Sequence, residues 1–160
     1  MEPFTQLSPR ARILFHLQAL LRLVLFWVPF TAMAVAGITA VWSFTAAIAI
    51  GVSFLFLRFL TALWWPVLSW QRWGYRLTDR ELLITRGVLL RSITAIPVSR
   101  VQHVDVLQGP LEQWLELARL QVHTASGLGA DGSIPGLERP IADQLRDRLV
   151  HAEERGDDGV

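Results

Sequence analysis

The chain has 160 residues, 52% of them hydrophobic, and a mean hydropathy of +0.36. It holds no cysteine, which excludes disulfides, thiolate catalysis and thiolate metal sites, and all fifteen of its basic residues are arginine. The net charge of +1 hides a segregation: residues 1–71 sum to +3, residues 72–100 to +4 and residues 101–160 to −6.

The first predicted element is a membrane hairpin. A bilayer core of about 30 Å takes roughly 20 apolar residues as helix. The run from Leu23 to Leu57 holds no charged residue and fills most of two such crossings. The crossings are placed at residues 20–39 and 44–65, with Gly37 and Trp42-Ser43 marking the turn, so that a hairpin over 20–66 follows an N-terminal segment 1–19. Arg10, Arg12 and Arg22 precede the first helix, Arg72 and Arg76 follow the second, and the turn is uncharged. The excess of arginine at both ends predicts cytoplasmic termini at a bacterial inner membrane. Ala32-Met33-Ala34 and Ala34-Val35-Ala36 have the small-residue form of a signal-cleavage site. The length of the apolar run and the second crossing close behind it favour the uncleaved hairpin.

Pro29 lies inside the first crossing, where a kink is tolerated, whereas Pro66 is expected to stop or bend the second helix. Arg58 stands about two turns before the end of the second crossing and is read as snorkelling to the headgroups. Neither crossing contains an acidic residue to pair with it, which argues against a proton or ion relay. Trp64, Trp65, Trp70 and Trp73, with Tyr75 and the arginines Arg72 and Arg76, form an aromatic and basic interface anchor at the membrane exit.

The water-facing domain is placed at 74–152. Residues 75–78 and 81–87 read as two strands around the Asp79-Arg80 turn, followed by a third strand over Leu89–Pro97. Val101–Gln108 alternates, with Val104 and Val106 on one face and His103 and Asp105 on the other. Pro110–Leu117 is predicted as a short helix with Leu111, Trp114 and Leu115 on one side. Leu120–Thr124 is a strand with His123 outward. Gly127–Gly136 is a glycine-rich loop without a phosphate-binding pattern, and Ile134–Leu137 a short last strand. The final helix, about 139–154, packs through Ile141, Leu145 and Leu149; residues 153–160 form a disordered tail.

Short antiparallel strands before one amphipathic helix give an α+β barrel or sandwich behind the hairpin. The stretches Trp73-Gly74-Tyr75-Arg76-Leu77-Thr78, Arg86-Gly87, Ile96-Pro97-Val98-Ser99-Arg100-Val101-Gln102-His103-Val104, Gln108-Gly109-Pro110-Leu111-Glu112 and Leu120-Gln121-Val122-His123-Thr124-Ala125 closely resemble the bacterial PH-like, membrane-flanked domain family of YdbS-type small membrane proteins. Ile134-Pro135-Gly136-Leu137 and Ala142-Asp143-Gln144-Leu145-Arg146 match its tail. The resemblance covers about residues 60–150. It implies a pleckstrin-homology-like fold at the cytoplasmic membrane face, often encoded beside a larger protein with several such domains. It implies no reaction.

The candidate interaction residues are Arg100, Gln102, His103, Asp105, Gln108 and His123. His103, Asp105 and His123 are the types that bind zinc, but no short-spaced ligand pair supports a metal, and a polar partner-binding face is preferred. Arg100 is read two ways: as a contact for another chain or a lipid phosphate, or as an internal partner of Asp105 or Glu112. The Thr78–Glu81 turn carries two acids against one arginine, which argues against a phosphoinositide-type headgroup site there. The Trp cluster belongs to the membrane and the distal domain is acidic, so nucleic acid is excluded as a partner. The expectation is a non-enzymatic module without cofactor or metal, whose partners are the bilayer and a membrane protein with PH-like domains. The alternative is a homo-oligomeric hairpin acting as a small channel or transporter accessory, with Gly37 and Gly51 at helix contacts.

Overall fold

In the computed structural model, which describes residues 4–39, 43–125 and 132–157, the apolar run folds as two long helices. The first runs from Pro9 to Thr39 as α1 (Pro9–Arg22), a π-helical turn (Leu23–Trp27) and α2 (Val28–Thr39). Pro29 gives the reason for the turn, because its ring has no N–H and crowds the carbonyl one turn back. The wide turn just before it, closed by the Val28 N–H on the Leu23 carbonyl, takes up that conflict without ending the helix.

The second helix, α3 (Phe44–Arg72), carries Pro66 within it, so the expected stop there does not occur. Both helices reach beyond the crossings placed at 20–39 and 44–65. Each is long and apolar enough to span a membrane. A Cβ on Gly51 would lie 2.6 Å from the Val35 Cγ2 methyl and 3.3 Å from that of Thr31, so this glycine serves contact within the hairpin. Trp42 lies outside the described residues.

Packing divides the chain into residues 15–68 and a second unit made of residues 1–14 with 69–160. In the second unit β1 (Thr5–Gln6), β2 (Gly74–Leu77), β3 (Glu81–Arg86) and β4 (Ser92–Pro97) form one antiparallel sheet in that order. The other sheet is β5 (Val101–Leu107), β6 (Leu117–Thr124) and β7 (Gly132–Glu138), also antiparallel. The helices α4 (Pro110–Trp114) and α5 (Arg139–Asp157) complete it.

The fold is therefore α+β, two apolar helices and then a PH-like sandwich. Among the described residues no strand pairing closes the sheets into a barrel. The sheets meet face to face at Gly132, where a Cβ would sit 2.5 Å from Ile96 Cδ1 and 2.8 Å from Ile84 Cδ1. Leu82, Ile84, Ile96, Val101, Leu117, Leu120, Val122, Ile134 and Leu137 fill the interior.

Several expectations are corrected. The third strand begins at Ser92, not Leu89. Gly87, at φ +110°, turns the chain out, and Leu89 and Leu90 are 85% and 87% exposed. The short helix ends at Trp114, which is exposed, while Glu112 is the residue it buries. The last helix runs on to Asp157 and packs through Ala142, Leu145 and Leu149, leaving Ile141 at the edge. Of the expected glycine-rich loop, residues 127–131 lie outside the described residues and 132–136 are strand; of the tail, 158–160 lie outside.

The N-terminal residues, read as a separate segment, join the domain. Their β1 pairs Thr5 with Tyr75 and Gln6 with Gly74, and Leu7, Ala11 and Leu14 are buried.

Candidate functional site

The outer face of β5 and β6 brings three of the candidate residues together. Val101 faces Thr124, and two residues on His103 faces His123, so Gln102 is an extra residue bulged from the ladder. The bulge re-aims the rest of the strand: Val104 turns inward, and His103 and Asp105, two residues apart, share the outer face.

His103 Nε2 stands 2.8 Å from Asp105 Oδ1, and His123 Nε2 reaches Asp105 Oδ2 at 3.4 Å. The imidazole centroids lie 6.1 Å apart. One carboxylate thus ties two strands through two rings. His103 is the most open of the three, and His123 Nε2 is enclosed without a hydrogen bond of good geometry. Among the described residues no group of three or more histidine and carboxylate side chains is arranged to hold a metal ion.

Arg100 ends the 3-10 turn Val98–Arg100 and points into solvent. Its two expected internal partners are otherwise engaged. Asp105 holds the histidines, and Glu112 accepts from the Gly109 N–H at 2.6 Å and from Arg119 Nη2 at 2.9 Å. Arg100 and Gln102 are therefore available side chains beside the histidine pair. Gln108 belongs to the architecture instead. Its amide donates to the Leu117 carbonyl at 2.6 Å and accepts from Arg139, fastening α5 to the end of β5.

The anchor residues divide as well. Trp64 and Trp65 are exposed on α3, and Arg72 is exposed at its end. Trp70 donates its indole N–H to the Ser8 carbonyl at 3.0 Å, and Arg76 lies over the Phe4 ring at 4.2 Å. Trp73 is half-buried and Tyr75 is buried in β2 rather than facing headgroups. Within the hairpin, Arg58 folds over the Trp27 ring at 3.7 Å.

Sequence reasoning missed the loop between β3 and β4. Leu89 and Leu90 form its tip between exposed Arg86 and Arg91, with Ile93 58% exposed just beyond. The signal was present in Gly87, since a glycine ahead of an apolar pair marks a turn as readily as a strand boundary.

Residues 15–153 match the family described as Bacterial PH domain. The chain is similar to the transmembrane protein YdbS of Bacillus subtilis (strain 168), at 30% identity over 159 residues covering 99% of this chain and 98% of that protein. It is also similar to the transmembrane protein YdbT of the same organism, at 32% identity over 84 residues, 52% of this chain and 16% of that protein. No solved structure matches the chain.

Proposed function

The chain belongs to the bacterial PH domain family, and we propose that it is a membrane-tethered, non-enzymatic interaction module at the inner membrane with both termini cytoplasmic. The observation that supports this most is the second edge of β5, which no other strand covers among the described residues, although α5 packs against the strand. Among the described residues β5 pairs only with β6, and its outer face carries Gln102, His103 and Asp105 beside the unpaired Arg100.

An exposed strand edge takes a partner by adding a strand, with side chains on alternate positions setting the choice. The bulge at Gln102 protects the edge against indiscriminate pairing. The partner is a larger membrane protein with related domains. YdbT, from the same organism as YdbS, is the model for it: the matched 84 residues occupy 16% of its length.

Crosslinking and mass spectrometry in native membranes, on the full chain and an Arg100→Glu variant, test this. One stoichiometric partner lost in the variant is the expected result. Crosslinks between copies of this chain alone would replace it with the oligomeric hairpin, whose own test is ion flux through proteoliposomes.

A second contact, with the bilayer surface, is favoured by the β3–β4 loop. The register pairs Gly74 with Thr85 and Gln6 with Gly74. The loop therefore leaves the sheet at the end where β1 runs on to α1 and β2 enters from α3. The acidic Thr78–Glu81 turn is at the opposite end. Arginine flanking an apolar tip suits an anionic interface. In the cysteine-free chain, a polarity-sensitive dye on Leu90→Cys should sense lipid in reconstituted vesicles while the same dye on Asp79→Cys senses water. Identical emission from both positions would remove this contact.

A further inference from the structure

The hairpin unit holds a cavity of about 400 Å³, lined by Arg22 and Trp27 on the first helical run and by Arg58, Thr61, Ala62 and Trp65 on α3. We propose that this cavity binds the phosphate of one anionic phospholipid, gripped by the guanidinium groups of Arg22 and Arg58.

Charge supplies the first argument. Two cations line one cavity, and no Asp or Glu occurs anywhere from Phe15 to Leu68, so the hairpin contains no carboxylate to neutralise them. The Trp27 ring covers one face of the Arg58 guanidinium at 3.7 Å. That contact satisfies one face of the cation and leaves its terminal Nη groups for an anion, while Arg58 Nε is enclosed without a hydrogen-bond partner. A guanidinium edge matches the oxygens of a phosphate diester in a bidentate fork.

The π-helical turn supplies the second. Residues five apart point in different directions on a regular α-helix of 3.6 residues per turn, whereas i→i+5 winding sets them on one side. Arg22 and Trp27 are such a pair, bracketing the Leu23–Trp27 turn, and both line the cavity. The irregular winding therefore builds one wall of the site.

Depth supplies the third. With a rise of about 1.5 Å per residue, Arg58 lies about 21 Å along α3 from Phe44, and Arg22 about 26 Å from Thr39, within a core about 30 Å thick. The pair thus lies just beneath the headgroups at the arginine-flanked ends of the hairpin. A lipid phosphate reaches this level with its acyl chains still among their neighbours. Basic pockets between membrane helices bind anionic headgroups in this way.

Specific retention distinguishes such a site from two arginines that snorkel independently. The full chain, purified in mild detergent, is examined by native mass spectrometry with phosphatidylglycerol, phosphatidylcholine or inorganic phosphate added. One phosphatidylglycerol per chain should remain bound, preferred over phosphatidylcholine and not displaced by inorganic phosphate. Arg22→Gln and Arg58→Gln should each weaken retention about tenfold or more, as loss of a charged hydrogen bond does. Arg58→Lys should recover only part of it, and Arg80→Gln, in the exposed turn between β2 and β3, should change nothing. Circular dichroism of each variant checks that the helices persist; should Arg58→Gln unfold, Arg22→Gln and the lipid comparison carry the test. Equal retention of both lipids, indifference to Arg22→Gln, or binding of inorganic phosphate in place of lipid would each overturn the proposal.

Discussion

Tyr75 is the only tyrosine in the chain, and its burial in β2 raises its hydroxyl above the ordinary value of 10.0, because a phenolate there would lose its hydration. The unfolded chain therefore releases this proton first as pH climbs. The contribution to stability is constant below the ordinary tyrosine range and is lost as pH rises from that range through the folded value. Ultraviolet titration should show one tyrosinate transition displaced upward in the folded protein and restored to the ordinary value in denaturant. Tyr75→Phe should flatten the alkaline fall in stability. Glu112 is a second residue whose environment decides its role. It is buried, holds the Gly109 N–H at the start of α4, and receives Arg119 on its other oxygen. Arg119 is part exposed and can turn to water, so the loss in Glu112→Ala falls mainly on the stranded backbone donor. A destabilisation of about 1–2 kcal/mol is expected, to be read from denaturant midpoints in detergent, with Glu112→Gln losing less.

At the scale of elements, the join between the N-terminal segment and β7 depends on one glycine. Gly136 has φ +67°, and a Cβ there would collide with the Ala11 Cβ. Gly136→Ala must pay left-handed strain of about 1–2 kcal/mol and also push α1 off the strand. Tryptic cleavage at Arg10 and Arg12 should accelerate in this variant, and unchanged cleavage would show that the segment is held by other contacts. The sequence disclosed those elements whose periodicity records burial: β5 and β6 alternate as expected, and the histidine pair lies where that alternation puts it. The elements that escaped it had no period to show. Two residues of β1 are too few to alternate, and their partners in β2 lie seventy positions away, as Thr5 and Tyr75 do. In α4 the spacing of Leu111, Trp114 and Leu115 imitates an apolar face, but a five-residue helix is governed by its cap, so Glu112 goes in and Trp114 out. The β5–β6 patch was legible by residue type, whereas the role of Gln108 depended on Arg139, thirty-one positions away. The cavity beside Arg58 was hidden for a similar reason, since only the π-helical turn sets Arg22 and Trp27 on one side.

For the whole molecule, the consequence is that the domain is not contiguous in sequence. Residues 1–14 and 69–160 form one packed unit, and the membrane hairpin is an insertion between its first strand and its second. Arg10 bonds Glu116 at 2.7 Å, and Ser8 donates to Glu138 at 3.1 Å. Both polar contacts surround the apolar ones made by Leu7, Ala11 and Leu14. Burying a leucine is worth about 1.5–3 kcal/mol, so the two leucines alone supply about 3–6 kcal/mol. Whole domains are stable by only about 5–15 kcal/mol. A soluble fragment of residues 69–160 should therefore melt well below the same fragment mixed with a peptide of residues 1–14, and the peptide's effect should rise with its concentration as mass action requires. Leu7→Ala in the peptide should remove most of that gain. A fragment that melts identically with and without the peptide would show that the hairpin, and not the domain, holds the N-terminus in place.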